Sequence, residues 1–273
     1  MSLPPATGAV ELASFQQYVL RLLAQNKRLD GRSLDAIRLP QIISDSQSIT
    51  RTDGVLASTL YTDETGTYIQ CTVCGLFGPP LAERPEEGRL TVDITAPFFP
   101  SYGADRVTTA LREAAHFVRS TIISCMDLKE LSILPGEACW VVQVELVVVN
   151  ADGGLRAASL HAALAALHGM LLPRSRLPNG YEVQGKQLCF HTIPIATTIG
   201  VYKHSCGELR LLMDTSAAEE SVVDGLMTVA IDDSNCIVGL IQNGSYPLVT
   251  PLLTGAINEF SARSEALRSA IIK

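Results

Sequence analysis

The segment Cys139-Trp140-Val141-Val142-Gln143-Val144-Glu145-Leu146-Val147-Val148-Val149-Asn150 is strongly apolar, and it runs directly into Ala151-Asp152-Gly153-Gly154-Leu155-Arg156-Ala157-Ala158-Ser159. Its composition predicts a strand, and the part from Val144 to Val149, interrupted by Glu145, is far too short to span a bilayer. Paired glycines let the backbone turn sharply and approach a ligand. The helix expected after them would present free N–H groups and the positive end of its dipole to an anion. Arg156 adds a cationic fork in the first turn. The unit therefore reads in two ways. It is a phosphate cradle, or it is a tight strand-to-helix connection bearing an exposed arginine.

Around this unit the chain is organised as strands and helices in two runs. Residues 1–10 read as a loose leader with Pro4, Pro5 and Gly8. Phe15, Tyr18, Val19, Leu22 and Leu23 then recur at helical spacing, with Asp30-Gly31 expected to end that helix in a turn. Residues 36–76 alternate in short bursts broken by Asp53-Gly54 and Gly66, which predicts an antiparallel meander. A proline-rich loop, a strand over 90–94 and an amphipathic helix over 108–124 lead to the apolar strand, and a helix over 156–171 follows it. Pro173, Pro178 and Asn179-Gly180 mark a boundary. The second run predicts strands over 193–202, 209–213, 227–231 and 237–241 and a closing helix over 252–271. Strands followed by helices in both runs indicate an α+β fold with two similar sheet-and-helix layers.

Composition limits the function. The chain has 273 residues, 47% hydrophobic and 18% charged, few charges for a surface wholly in water, so part of that surface is expected to be covered by partners. A net charge of −7 argues against a freestanding nucleic-acid binder, because phosphate contacts need clustered cations. Any RNA contact should be local or shared with neighbours. Arginines concentrate between Arg84 and Arg119 and again at Arg174 and Arg176. Seven cysteines without a secretory leader point to free thiols in a reducing, intracellular setting. Cys71 and Cys74 form a CxxC in an expected strand, without a second pair at zinc spacing, so no metal site is expected.

Several segments together carry a resemblance. The run Asp152-Gly153-Gly154-Leu155-Arg156-Ala157-Ala158-Ser159 resembles the glycine-rich phosphate motif of RNase PH-type phosphorolytic exoribonucleases, in which threonine usually stands where this chain has Leu155. Lys27-Arg28-Leu29-Asp30-Gly31-Arg32 resembles the opening motif of that superfamily. Leu134-Pro135-Gly136-Glu137-Ala138-Cys139-Trp140 resembles the exosome ring subunits, especially the archaeal non-catalytic lineage. His191-Thr192-Ile193-Pro194-Ile195 and Val223-Asp224-Gly225-Leu226-Met227-Thr228-Val229 follow in the family order, and the resemblance spans roughly residues 15–268. It implies an RNase PH-like fold, with two β-α-β-α layers packed together. The implied division is a leader and helix over 1–25, a first subdomain over 26–178 and a second over 179–273. It further implies a hexameric ring with other RNase PH-like subunits, cap subunits of the S1/KH type, RNA in a central channel, no membrane, and residence in nucleus, nucleolus and cytoplasm. Gly153, Gly154, Arg156 and Ser159 are the expected phosphate or RNA contacts.

Active members of that family use an aspartate just before a late strand, with upstream acids and a divalent ion, to support attack of inorganic phosphate on the last phosphodiester. Two anions must meet, so cations must neutralise them. When Met227-Thr228-Val229-Ala230-Ile231 is registered on the family strand, Leu226 falls at the position of the key aspartate. Leucine neither holds a metal nor moves a proton. Asp214, Glu219, Glu220 and Asp224 form the acidic cluster of this region. Asp224 reads as a turn entering the strand, and Glu219 and Glu220 as a solvated helix start or turn. His161 and His168 share a helix face without an acidic or thiol ligand nearby, Ser159 lacks a hydrolase constellation, and Trp140 reads as a core anchor. No catalytic residue, metal or cofactor is expected. The leading expectation is a catalytically silent ring subunit that retains Arg156. The alternatives are an active phosphate-dependent 3′-exoribonuclease using Asp214 or Asp224, and a protein that shares only the fold.

Overall fold

The strand expectations translate into two sheets. The computed structural model describes residues 7–45, 54–98, 104–177, 180–204, 207–244 and 250–272. Helix α1 (Thr7–Ala24) begins within the expected leader and stops before Asp30-Gly31. Asn26 adopts φ 57° there, and the Lys27 N–H returns to the Leu22 carbonyl at 2.9 Å, a left-handed closure that asparagine tolerates. Phe15 and Tyr18 remain exposed, whereas Val19 and Leu23 are buried against Tyr202 and Leu212. The apolar stripe of α1 is thus wider than the face it buries.

Strands β1 (Gln41–Asp45), β2 (Val55–Thr62) and β3 (Tyr68–Gly78) form the expected antiparallel meander. Asp53 of the anticipated turn lies outside the described residues. With β4 (Arg89–Thr95), β5 (Ser132–Leu134) and β6 (Ala138–Asn150) they build a six-stranded sheet in the order β1-β2-β3-β6-β4, with β5 on β6. Strand β4 runs parallel to the apolar β6. Trp140 is buried beneath Phe77, ring centroids 4.3 Å apart, the anchor its composition suggested. Along β3 the side chains alternate, so Cys71 points into the core and Cys74 to the other face.

Helix α2 (Ala104–Cys125) buries Val118 and Ile122 and packs on β4 and on the second sheet. Helix α3 (Leu155–Leu167) is buried on nearly every side because alanines at 157, 158, 162, 163, 165 and 166 allow close approach. It touches β2 and β3 on one side and the second sheet on the other. It ends before the expected residue 171, where Gly169 turns at φ 71°. The short ladders β7 (Leu171–Leu172) with β10 (Lys186–Gln187), and β8 (Ser175–Arg176) with β9 (Glu182–Val183), were not anticipated from sequence. Pro178 and Asn179 lie outside the described residues.

The second sheet is antiparallel, ordered β12-β11-β13-β14, from β11 (Ile195–Lys203), β12 (Leu209–Met213), β13 (Gly225–Ile231) and β14 (Ile237–Gly244). Helix α4 (Ala217–Glu220) precedes β13, and α5 (Thr250–Ile271) closes over β11, β1 and α3. One apolar cluster runs through both sheets and around α3. The α+β expectation holds, with unequal halves sharing one core. No helix among the described residues is long and apolar enough to cross a membrane.

Candidate functional site

The Gly153-Gly154 turn is fixed by backbone from the other half. Gly153 has φ 75°, and a Cβ there would stand 2.2 Å from the Thr215 carbonyl oxygen and 2.9 Å from the Ala217 nitrogen. Gly154 has φ 60°, and its N–H donates to Glu220 Oε1 at 2.7 Å. Asp152 Oδ1 accepts from the Ala217 N–H at 3.0 Å. The donor at the start of α3 is therefore met by a carboxylate of this same chain. Burial raises the Glu220 pKa, against the opposing hydrogen bonds from Gly154 and Thr215 and the charges of Arg38 and Arg156.

Glu219 and Glu220 lie in a short helix, as expected, but Glu219 is shut away from solvent and Glu220 is half-buried. Ser216 and Glu219 form a reciprocal capping box, and Glu219 is fully buried. The reason is Arg28. Its Nε and Nη2 donate to the two Glu219 oxygens at 2.8 and 2.7 Å, and its other bonds go to the carbonyls of Met213, Asp214, Ser33 and Ala36. The opening motif Lys27 to Arg32 thus acts as a clamp on the loop that carries Asp214. Arg32 bridges Asp30 and Asp214. Arg38 makes a bidentate pair with Asp214, Nη2 to Oδ1 at 2.6 Å and Nε to Oδ2 at 2.8 Å, and its Nη1 donates to the Asp152 carbonyl at 2.7 Å. Burial alone would raise the Asp214 pKa, but the Arg38 hydrogen bonds and charge, with Arg32, outweigh it and hold the carboxyl below its usual range. Every Asp214 oxygen is thereby engaged by arginine.

Leu226 is half-buried on β13, opposite Gly200 on β11 and Asn243 on β14. Asp224 is exposed just ahead of that strand, and its Oδ2 accepts from the Lys203 N–H at 2.9 Å while its own N–H donates to Val201. It fastens the start of β13, as the turn reading expected. Arg156 reaches the same end of the sheet. Its Nη2 donates to Glu113 Oε2 of α2 at 2.5 Å and, with the Asn243 amide turned so that its oxygen faces the guanidinium, to that oxygen at 3.0 Å, while its buried Nε has no acceptor. Arg156 and Leu226 therefore meet through Asn243. Ser159 is shut inside the core, its hydroxyl without a partner.

His161 and His168 do not work together. His168 is exposed at the end of α3, whereas His161 is buried and its Nε2 accepts from the Ala196 N–H at 3.1 Å. Burial pulls its pKa down to about 4. With Arg38, Asp63, Thr197 and Asp214 it lines a cavity of about 20 Å³, room for one water. Of the arginine track, Arg84, Arg89 and Arg119 line an open groove of about 520 Å³ between β4 and α2. Arg84 pairs with Glu87, and Arg119 donates to the Leu90 carbonyl. Arg174 pairs with Glu182, and Arg176 donates to the Gly180 carbonyl.

Sequence reasoning missed the roles of Arg28, Arg32, Arg38, Glu113 and Asn243. The opening motif flagged the first two by position. Arg38, Glu113 and Asn243 carry no local pattern, because their partners lie 25 or more, 43 and 87 residues away in the chain. Among the described residues no group of three or more His, Cys, Asp or Glu side chains is disposed to hold a metal.

The sequence matches the model of the 3′ exoribonuclease family, domain 1, over residues 49–173 and domain 2 over residues 192–258. It is 25% identical over 264 residues to exosome complex component Rrp42 of Methanosarcina acetivorans, covering 94% of this chain and 93% of the relative. It is 24% identical over 290 residues to exosome complex component RRP45 of Saccharomyces cerevisiae, covering 96% and 90%. Its fold is similar to a chain of an archaeal exosome core, with TM-score 0.80, 25% identity and coverage of 97% of this chain and 99% of that one. It is also similar to a chain of the Archaeoglobus fulgidus exosome with RNA bound to the active site, with TM-score 0.78, 26% identity and coverage of 95% and 98%. Both domains, in order and across one shared core, place this chain in the RNase PH-like 3′ exoribonuclease family.

Proposed function

We propose that the chain is a catalytically silent structural subunit of an exosome-type ring, contributing to an RNA channel that serves 3′-end degradation and processing. The observation that carries this reading is Leu226, apolar at the place where phosphorolytic relatives are expected to need a carboxylic acid, with Arg156 reaching its neighbour Asn243. Neighbouring acids do not replace it. Asp214 is consumed by Arg38 and Arg32, and Asp224 by the β11 backbone. The carboxylates that a divalent ion would need are thus spent on arginines and N–H groups, so the residues present do not fit such an ion, and no step is derived through one.

Near-complete coverage of chains from exosome cores supports ring membership alongside other RNase PH-like subunits, and the neighbour with bound RNA supports an RNA path. By the same reading, cap subunits of the S1/KH type sit above the ring, and the protein works in nucleus, nucleolus and cytoplasm. Of the expected RNA contacts, Ser159 has no route to solvent, the Gly154 N–H is taken by Glu220 and Arg156 is paired with Glu113, so RNA is expected to pass this turn without a tight contact.

Purified chain incubated with single-stranded RNA, inorganic phosphate and magnesium is expected to release no nucleoside diphosphate. Release that disappears in Asp224→Ala or Asp214→Ala, while a distant surface variant keeps it, would instead establish an active phosphorolytic enzyme.

A further inference from the structure

Arg156 stands in the first turn of α3, and its charge is already answered. Glu113 Oε2 sits 2.5 Å from its Nη2, and the Glu113 side chain is 45% exposed against 15% for Arg156. Glu113 comes from the solvent side of α2, so core packing does not hold it in place. At the other end of the turn, Glu220 Oε1 takes the Gly154 N–H. Carboxylates from two separate elements thus stand at the two donors that a phosphate would seek. Arg156 Nε, meanwhile, is buried without an acceptor. A guanidinium engaged through one nitrogen and unpartnered at the next, buried one presents an unfinished bidentate fork.

We propose that Glu113 is a resident counter-anion. It occupies the Arg156 fork and, with Glu220 already on the Gly154 N–H, keeps phosphate-type oxyanions, free or in a phosphodiester, away from that guanidinium. Such a group enters only when the Glu113 charge is removed or the side chain swings into solvent, a movement its exposure permits. The site is then a family-like cradle held shut by the chain's own carboxylate, and RNA can pass it without being gripped. This deepens the ring reading and rests on it only where RNA is concerned, because closure to phosphate is a property of the chain itself.

The test uses the full chain and inorganic phosphate, with binding read by calorimetry and folding by thermal melting. Glu113→Gln keeps the size and removes the charge. It is expected to bind phosphate about tenfold or more tighter than the parent, the effect of deleting a like charge at a part-buried site. Glu113→Ala must reproduce the gain, which covers any misfolding or amide contact peculiar to the glutamine. Adding Arg156→Ala must abolish it, and adding Arg156→Lys must keep only part. Equal phosphate affinity in parent and both Glu113 variants overturns the proposal, as does a gain that survives Arg156→Ala. In the ring assembled with its partner subunits, Glu113→Gln should steepen the slope of log RNA affinity against log salt by about 0.7, one added phosphate contact. Failure of the ring to assemble would count against the ring reading and leave the phosphate result standing.

Discussion

At the scale of single residues, the chain spends its charges on its own scaffold. Arg28 and Glu219 are both fully buried and joined through two hydrogen bonds. Removing one partner leaves an uncompensated buried charge, so Glu219→Ala should lower stability by about 3 kcal/mol or more in denaturant titration. A loss below about 1 kcal/mol would show that the clamp is dispensable. His161 gives a pH signature. Its pKa falls from 6.5 to about 4 because burial disfavours the imidazolium. With the folded value depressed, the unfolded chain takes up the proton first, so stability is intact above pH 6.5 and declines as pH falls from 6.5 to 4. The decline should be on the order of 3 kcal/mol. Glu220, raised by burial, acts in the opposite sense, so the readout is the difference between parent and His161→Gln across that window. Parallel stability curves for the two would contradict the assignment. Sequence marked Arg28 through its motif but not its purpose, since the partner lies 191 residues on.

At the scale of elements, the strand-turn-helix unit was legible as soon as β6 and the glycines were read together, because apolar composition and glycine are local signals. What meets the turn was not legible. Gly153 and Gly154 look alike in sequence, yet the structure separates them. A Cβ on Gly153 would collide with fixed backbone at 2.2 Å, whereas on Gly154 the nearest atom is the end of Arg38 at 3.6 Å. Gly153→Ala should therefore cost about 3 kcal/mol or more, from the clash added to the left-handed strain. Gly154→Ala should cost only the strain, about 1–2 kcal/mol. Equal melting temperatures for the two variants would refute the close packing of residues 215–217 on the turn. The ends of α1 and α3 were misplaced because Asn26 and Gly169 stop them with left-handed turns, which apolar periodicity does not encode. Helix α4 was foreseen only as a start, and its burial follows from Arg28, contributed by the opposite end of the chain.

At the scale of the whole molecule, two unequal sheets share one core around α3, which is why the chain reads as two halves and folds as a joined body. Its low charge was a legible hint of covered surface. The structure adds Ile43 at 66% exposure on the outermost strand of the first sheet and Leu81 at 51%, apolar side chains left to water in the lone chain. Which subunits cover them is not written in local sequence, because an interface is a property of two surfaces. Whether the protein is a silent member of a mixed ring is decided by native mass measurement of the assembly captured on the tagged full chain from its own cell. The expected mass is that of a six-membered ring in which this chain stands beside other RNase PH-like subunits. A monomer without partners, or a ring built from copies of this chain alone, would contradict it.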